Sequence, residues 1–229
     1  MSRFARTLLI TLVVLVVLLI AADRVGDYVA ERAAGNTIKS SQHLDARPDV
    51  DIAGFPFLTQ LAAGKYDEIT VTATDVPVGQ GRRLLDISKV RLVLHTLTVS
   101  RDFSRFHART ADARATIGYA DLSNTLGIDV AYAGNGRIKA AKSVTVLGQT
   151  VHASLNTRPE LVNGALGFAA TQIDNAGQLG GAVTGALNQA FDLAIPLQAI
   201  PFKIRVRSLQ VGPAGVLLDL TGTDVTYSS

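Results

Sequence analysis

The side chains that could do chemistry in this sequence are four histidines, nineteen acids and a band of arginines. His43, His95, His107 and His152 include no pair at metal-ligand spacing on one helix, and the zinc-protease string H-E-x-x-H is absent. So are the nucleophile elbow G-x-S-x-G, a phosphate loop closing on G-K-[ST], and the dinucleotide string G-x-G-x-x-G. His95 sits among Leu94 and Leu97 in a strand-like run, which suits a strand-surface or satisfied core histidine. Asp49-Val50-Asp51 would put two carboxylates on one side of a strand, but no third ligand lies nearby in sequence. The absence of cysteine removes disulfides, thiolate metal sites and a cysteine nucleophile. The expectation is a protein without catalytic residues, metal or cofactor. An enzyme built from Asp and His brought together in space is the alternative.

Arginine makes a more specific pattern. Arg82, Arg83, Lys89, Arg91, Arg101, Arg105, Arg109 and Arg114 meet only Asp86, Asp102 and Asp112 in the same stretch. Guanidinium groups grip phosphate oxygens through forked hydrogen bonds, so such a segment suits an anionic lipid surface as well as a plain solvated face. Phe103 and Phe106 flank Arg105, and apolar tips beside arginines are what a membrane-touching loop needs. The candidate headgroup or membrane contacts are therefore Arg101, Phe103, Arg105, Phe106 and Arg109. The whole chain carries only 22 bases against 19 acids, net +3, which does not match the basic footprint of a nucleic-acid binder.

The elements that must position these residues follow from periodicity. Lys65–Val78 alternates through Ile69, Val71 and Ala73, and Leu84–Ser100 is a long β-branched run. Leu92, Val93 and Leu94 are apolar on both faces, with Leu97 continuing the run, so this strand must be covered on both sides by core or by ligand. Thr110–Tyr119 is a weaker strand pattern, and Tyr119–Leu126 has helical spacing. Short strands are expected over Gly127–Ala133, Arg137–Leu147, Thr150–Thr157 and Leu161–Ala169. An amphipathic helix carrying Leu187 and Phe191 should run from about Gln178 to Pro196. Phe202–Val211 and Gly215–Leu220 then close as a hairpin across Gly212-Pro213. Strands without intervening helices predict an α+β chain with a long antiparallel sheet rather than βαβ units.

The chain begins with a different kind of segment. Thr7–Ala22 holds 16 residues, all apolar but Thr7 and Thr11, between Arg3 and Arg6 and the pair Asp23-Arg24. Counted from Phe4 at about 1.5 Å per residue, it spans roughly 28 Å, close to a hydrocarbon core of about 30 Å. No A-x-A cleavage site follows, which favours an uncleaved signal anchor over a cleaved signal peptide. Arg3 and Arg6 would keep the N-terminus in the cytoplasm and export the rest. Residues 1–22 are thus expected to be an anchor or signal peptide, and 23–229 a single exported domain. Val25, Tyr28, Val29, Ala33 and Thr37 lie on one helical face, so the helix should continue past the anchor as an amphipathic one and stop near Pro48. The mean hydropathy of +0.27 comes mostly from the apolar run.

One string links these elements to a family. Val50-Asp51-Ile52-Ala53-Gly54-Phe55-Pro56-Phe57-Leu58-Thr59-Gln60, followed by Gly64-Lys65-Tyr66-Asp67-Glu68-Ile69, resembles the hallmark of the LmeA-like phospholipid-binding domain. Tyr119-Ala120-Asp121-Leu122, Ile195-Pro196-Leu197 and Leu220-Thr221-Gly222-Thr223-Asp224-Val225 agree with it as well. The resemblance implies a fold similar to the tubular lipid-binding proteins, a long curved antiparallel sheet wrapped around one or two helices. It implies an exported or membrane-anchored phospholipid binder on the extracytoplasmic side, with no catalytic residues to carry over. It further implies a role in lipoglycan synthesis, elongating the mannan of lipomannan by supporting a membrane mannosyltransferase. A scaffold for such a glycosyltransferase, or an enzyme on lipid-linked glycans, are the competing readings.

Phe55, Phe57 and Leu58 form a dense apolar cluster after Gly54, open to two readings, core packing or the mouth of a lipid cavity. With Leu92, Leu94 and Leu97 on the long strand and Leu187 and Phe191 on the C-terminal helix, they are the candidate lipid-binding residues.

Overall fold

The computed structural model describes residues 3–80, 83–100, 105–146, 149–162, 165–174, 195–196 and 205–228. The chain opens with one uninterrupted helix, α1 (Arg3–Ser41). Its apolar first half buries no side chain in the protein and is long and apolar enough to cross a membrane. The helix ends at Ser41, well short of Pro48, where Ser40 and Ser41 turn their hydroxyls onto carbonyls of the last turn.

Short strand β1 (Asp49–Ala53) and short helix α2 (Phe57–Ala63) follow, then the long strands β2 (Lys65–Gln80), β3 (Arg83–Val99) and β4 (Arg105–Ile117). Helix α3 (Tyr119–Leu126) leads to β5 (Asp129–Gly134), β6 (Arg137–Val146), β7 (Gln149–Val162) and β8 (Ala165–Asp174). The two-residue strand β9 (Ile195–Pro196) precedes the hairpin of β10 (Arg205–Gly212) and β11 (Gly215–Ser228). The α+β class and the long antiparallel sheet are as expected, but the strands divide into two sheets. One runs β1-β2-β3-β4-β11-β10 and the other β5-β6-β7-β8-β9. The expected strand Leu161–Ala169 takes in the end of β7 and the start of β8, and the expected helix over 178–196 falls mainly outside the described residues.

By contacts the chain resolves into two compact units. The first comprises Met1–Thr72, Val93–Ala111 and Asp224–Ser229; the second comprises Ala73–Leu92 and Asp112–Thr223. The second unit has the larger packed core. Leu122 and Leu126 of α3 pack with Leu85, Ile87, Ile117, Ile128, Val130, Ile138, Val216 and Leu218. A polar link holds α3 in register: Ser88 Oγ donates to Asp121 Oδ2 at 2.6 Å and accepts the Gly118 N–H at 2.9 Å. Gly215 is required where it stands, because a Cβ there would lie 2.2 Å from the Ile117 carbonyl oxygen.

In the first unit α1 packs on β1 and α2. The packed face of α1 is not the apolar one expected. Val25, Tyr28, Val29, Ala33 and Thr37 point outward, while Asp23 and Gly35 are buried and Gly26, Asp27, Ala30, Glu31, Ala34 and Ile38 are half-buried. Two glycines and two alanines on the packed face let the backbones approach closely. A Cβ at Gly35 would come within 2.8 Å of the Pro48 carbonyl oxygen. Two acids on this face, Asp23 and Glu31, act as acceptors, and Glu31 Oε1 takes the Ile52 N–H at 2.9 Å.

Candidate functional site

The family-like string folds into a compact turn and helix beside the turn of α1 that follows the apolar run. Gly54 has φ of 108°, a conformation open to glycine but strained for other residues. Pro56 takes φ of −76° at the N-cap of α2, and the Phe55–Pro56 peptide is cis. The cap itself comes from elsewhere in the chain. Asp23 Oδ2 accepts the Phe57 N–H at 3.1 Å and Asp23 Oδ1 accepts the Leu58 N–H at 2.8 Å. A carboxylate suits a helix N-terminus because the first N–H groups have no partner within the helix. It also explains how an acid only 3% exposed is tolerated.

Gln60, Thr59, Gly64 and Tyr66 of the string have structural tasks. Gln60 Nε2 donates to the Ala53 carbonyl at 3.2 Å and Gln60 Oε1 accepts the Asp67 N–H at 3.1 Å, joining β1 and β2 across α2. Thr59 Oγ1 donates to the Pro56 carbonyl at 2.8 Å. Gly64 ends α2 in the left-handed region at φ 62°, and its carbonyl accepts the Val99 N–H at 2.8 Å. Tyr66 is buried, and burial raises its phenol above the ordinary value.

The apolar residues of the string part company. Phe57 is 1% exposed and packs beside Gly26 of α1, whereas Phe55 is 56% and Leu58 39% exposed. Leu61, one turn beyond Leu58 and not singled out from the sequence, is 40% exposed. The Arg24 guanidinium lies 5.0 Å from the Phe55 ring centroid and 3.7 Å from Asp27 Oδ2. Core packing therefore describes Phe57 and not Phe55 or Leu58. Leu94 and Leu97 on β3 are buried and Leu92 is half-buried. Leu187 and Phe191 lie outside the described residues.

The same unit carries a groove of about 410 Å³ between the ends of β3, β4 and β11, lined by Thr98, Val99, Ser100, Arg105, Phe106, His107 and Thr226. Val99 joins it to the C-cap of α2 through the Gly64 hydrogen bond. Ser100 and Arg105 close the strand ends on each other: Ser100 N–H donates to the Arg105 carbonyl at 2.9 Å, and Arg105 N–H to Ser100 Oγ at 3.0 Å. His107 Nε2 stands 3.5 Å from Asp224 Oδ1, and His95 Nδ1 stands 3.2 Å from Glu68 Oε2.

Of the expected headgroup contacts, Arg105 and Arg109 are exposed on β4 and Phe106 is half-buried in the groove; Arg101 and Phe103 lie outside the described residues. Arg114 belongs to the same basic band but is committed, its Nε donating to Asp219 Oδ1 at 2.9 Å. Asp49 and Asp51 both face outward on β1, and among the described residues no group of three or more His or acidic side chains is placed to hold a metal ion.

Two signals for α2 were present in the sequence: proline at its start and glycine just past its end. The capping role of Asp23 had none, because its partners lie 34 and 35 residues away.

Neither a curated protein nor a solved structure shows significant similarity to the chain. A family model does match. That for LmeA-like phospholipid binding covers residues 21–221, beginning at the end of the apolar run and spanning α2, β1 to β10 and the first half of β11. The chain therefore belongs to the LmeA-like phospholipid-binding family.

Proposed function

We propose that the protein is a membrane-anchored, non-enzymatic phospholipid binder of the cell envelope, with α1 as a single-pass anchor and the residues from Asp23 onward on the extracytoplasmic side. The bound lipid is anionic. Its phosphate meets Arg105 and Arg109, and its glycerol and upper acyl carbons lie against Phe106 and Val99 in the groove. The observation that carries this reading is the groove itself, where a cationic side chain, an aromatic ring and hydroxyls converge at the strand ends next to α2. Each acyl methylene withdrawn from water adds about 0.8 kcal/mol, so an apolar surface with one or two headgroup contacts suffices for affinity. Leu94 and Leu97 are buried on β3, the strand whose end forms one wall of the groove. In the cell we place the protein in lipoglycan synthesis, supplying or presenting lipid to a membrane mannosyltransferase that elongates the mannan of lipomannan.

Native mass spectrometry of the detergent-released full chain, followed by organic extraction, tests the binding. Co-purifying phosphatidylglycerol, cardiolipin or phosphatidylinositol, reduced in Arg105→Ser with Arg109→Ser, is the expected result. A lipid-free chain that takes up none of these from mixed micelles would overturn it.

A further inference from the structure

We infer that the outer face of α2 with Phe55 is an interfacial foot, inserted in the headgroup layer of the same membrane that holds α1. The inference rests on the reading of α1 as an anchor and adds where the first unit touches the leaflet. Asp23 follows the apolar run directly, and its two carboxylate oxygens hold the first two N–H groups of α2. This fixes α2 at the level where α1 leaves the hydrocarbon, whatever the tilt of the helix. At that level Phe55, Leu58 and Leu61 present exposed apolar side chains, and Val25 adds another from α1.

A soluble surface rarely gathers large apolar side chains in this way without a partner. Here continuity with the spanning helix identifies the partner as the lipid surface. The rim chemistry agrees. Arg24 lies over Phe55 and exposed Lys65 follows α2, as suits side chains reaching phosphates while their stems stay in apolar surroundings. The acid at this depth is removed from contact with lipid, because Asp23 is buried against the α2 N-terminus. The foot also gives the groove a fixed relation to the leaflet, since Gly64 at the end of α2 bonds directly to Val99 in its wall.

The chain has no native cysteine, so single-cysteine labelling is direct. Leu58→Cys, Leu61→Cys, Leu15→Cys and Gln42→Cys, each carrying a bimane label, are reconstituted as full chains in vesicles of equimolar phosphatidylcholine and phosphatidylglycerol. Circular dichroism confirms that each variant is folded. Shallow nitroxide lipid should quench the labels at 58 and 61 at least about twofold more than at Gln42, which lies just beyond the far end of α1. Aqueous iodide should show the reverse order. If Leu15 is shielded within the bilayer while 58 and 61 are as open to iodide as 42, the foot is wrong and the anchor stands. If Leu15 is also open to iodide, the anchor reading fails and the foot falls with it.

Discussion

Asp23 accepts the Leu58 backbone N–H at 2.8 Å, which ties the start of α2 to the first residue after the apolar run. The second oxygen takes the Phe57 N–H, so one carboxylate closes a loop of chain that contains the end of α1, β1 and the Gly54-Phe55-Pro56 turn. Asp23→Ala should cost about 2 kcal/mol, because it leaves a buried helix N-terminus without acceptors. Asp23→Asn should cost less, since its single carbonyl oxygen can still serve one N–H. Urea unfolding of the detergent-solubilised chain measures both, and equal losses would deny the capping role.

Phe57 and Leu58 are neighbours with opposite roles. Phe57→Ala removes a fully buried ring against Gly26 and should destabilise by about 3–5 kcal/mol. Leu58→Ala should change stability by less than about 1 kcal/mol, because the residue lies at the surface, 39% exposed, and leaves no enclosed cavity when truncated. The two variants should separate in the opposite sense in vesicle association, with folded Leu58→Ala weaker than the parent. Similar unfolding curves for both would contradict the burial described.

Gly64 is irreplaceable on two counts. Its φ of 62° disfavours a side chain, and a Cβ would lie 2.8 Å from the Val99 carbonyl oxygen. Gly64→Ala should therefore cost about 2 kcal/mol or more. Gly26→Ala should be close to neutral. The contact made there, 3.3 Å to a Leu58 methyl, is with a movable exposed side chain, and helix propensity favours alanine by about 1 kcal/mol. Thermal unfolding of the two variants side by side tests the distinction.

Much of the strand plan was legible because alternation and β-branching are local. Lys65–Val78 and Leu84–Ser100 fall within a few residues of β2 and β3, and Tyr119–Leu126 coincides with α3. Strand β4 begins at Arg105 rather than Thr110, since its early inward positions are small alanines such as Ala108 that give little hydrophobic signal. The division into two sheets depends on pairings between distant strands, and strand patterns do not encode them. The inward face of α1 was misjudged for a related reason. Packing there selected small residues and bonded acids, and left Val25, Tyr28 and Val29 outside. At the site, the dense cluster around Gly54 was visible, but only the fold separates Phe57 in the core from Phe55 and Leu58 on the surface.

The acids on the packed face of α1 should make the protein more stable on mild acidification. Burial raises Asp27 above its ordinary 3.8, against the favourable charge of Arg24, and burial raises Glu31 above 4.5, against its bond from Ile52 N–H. The folded state then holds these protons more tightly than the unfolded chain. Stability rises as pH falls from neutral through the raised folded values, and the gain is complete below the unfolded ones. Asp27 Oδ1 is buried without a hydrogen-bond partner, so its charged form is the less comfortable one. Asp27→Asn should raise the midpoint of thermal unfolding at neutral pH and flatten its rise on acidification. Asp219 works in the opposite direction and at lower pH. Hydrogen bonds from Arg114 and Ser208 hold its carboxyl below 3.8, so its contribution is lost only as pH falls below the unfolded value. A midpoint that falls steadily from neutral pH in the parent, with no difference in Asp27→Asn, would refute this account.

The basic band should divide by what its members already hold. Arg105 and Arg109 are exposed on β4, whereas Arg114 donates to Asp219 and is partly neutralised by it. A base near an anionic surface contributes about 1 kcal/mol, so Arg105→Ser with Arg109→Ser should weaken association with phosphatidylglycerol vesicles roughly thirtyfold. Raising salt should shrink the difference, because exposed charges are screened within about 10 Å at 0.1 M. Arg114→Ser should leave vesicle association within about twofold of the parent, since an exposed ion pair of this kind adds about 0–1 kcal/mol and has little free charge to offer lipid. Its effect should appear instead in acid unfolding, where Asp219 loses its first hydrogen-bond donor and its carboxyl returns toward the ordinary value. Sedimentation with vesicles at two salt concentrations reads the first effect and acid titration of stability the second. Equal loss of vesicle binding in the two sets would mean that net charge governs the interaction, and that the position of Arg105 beside Phe106 and the groove does not.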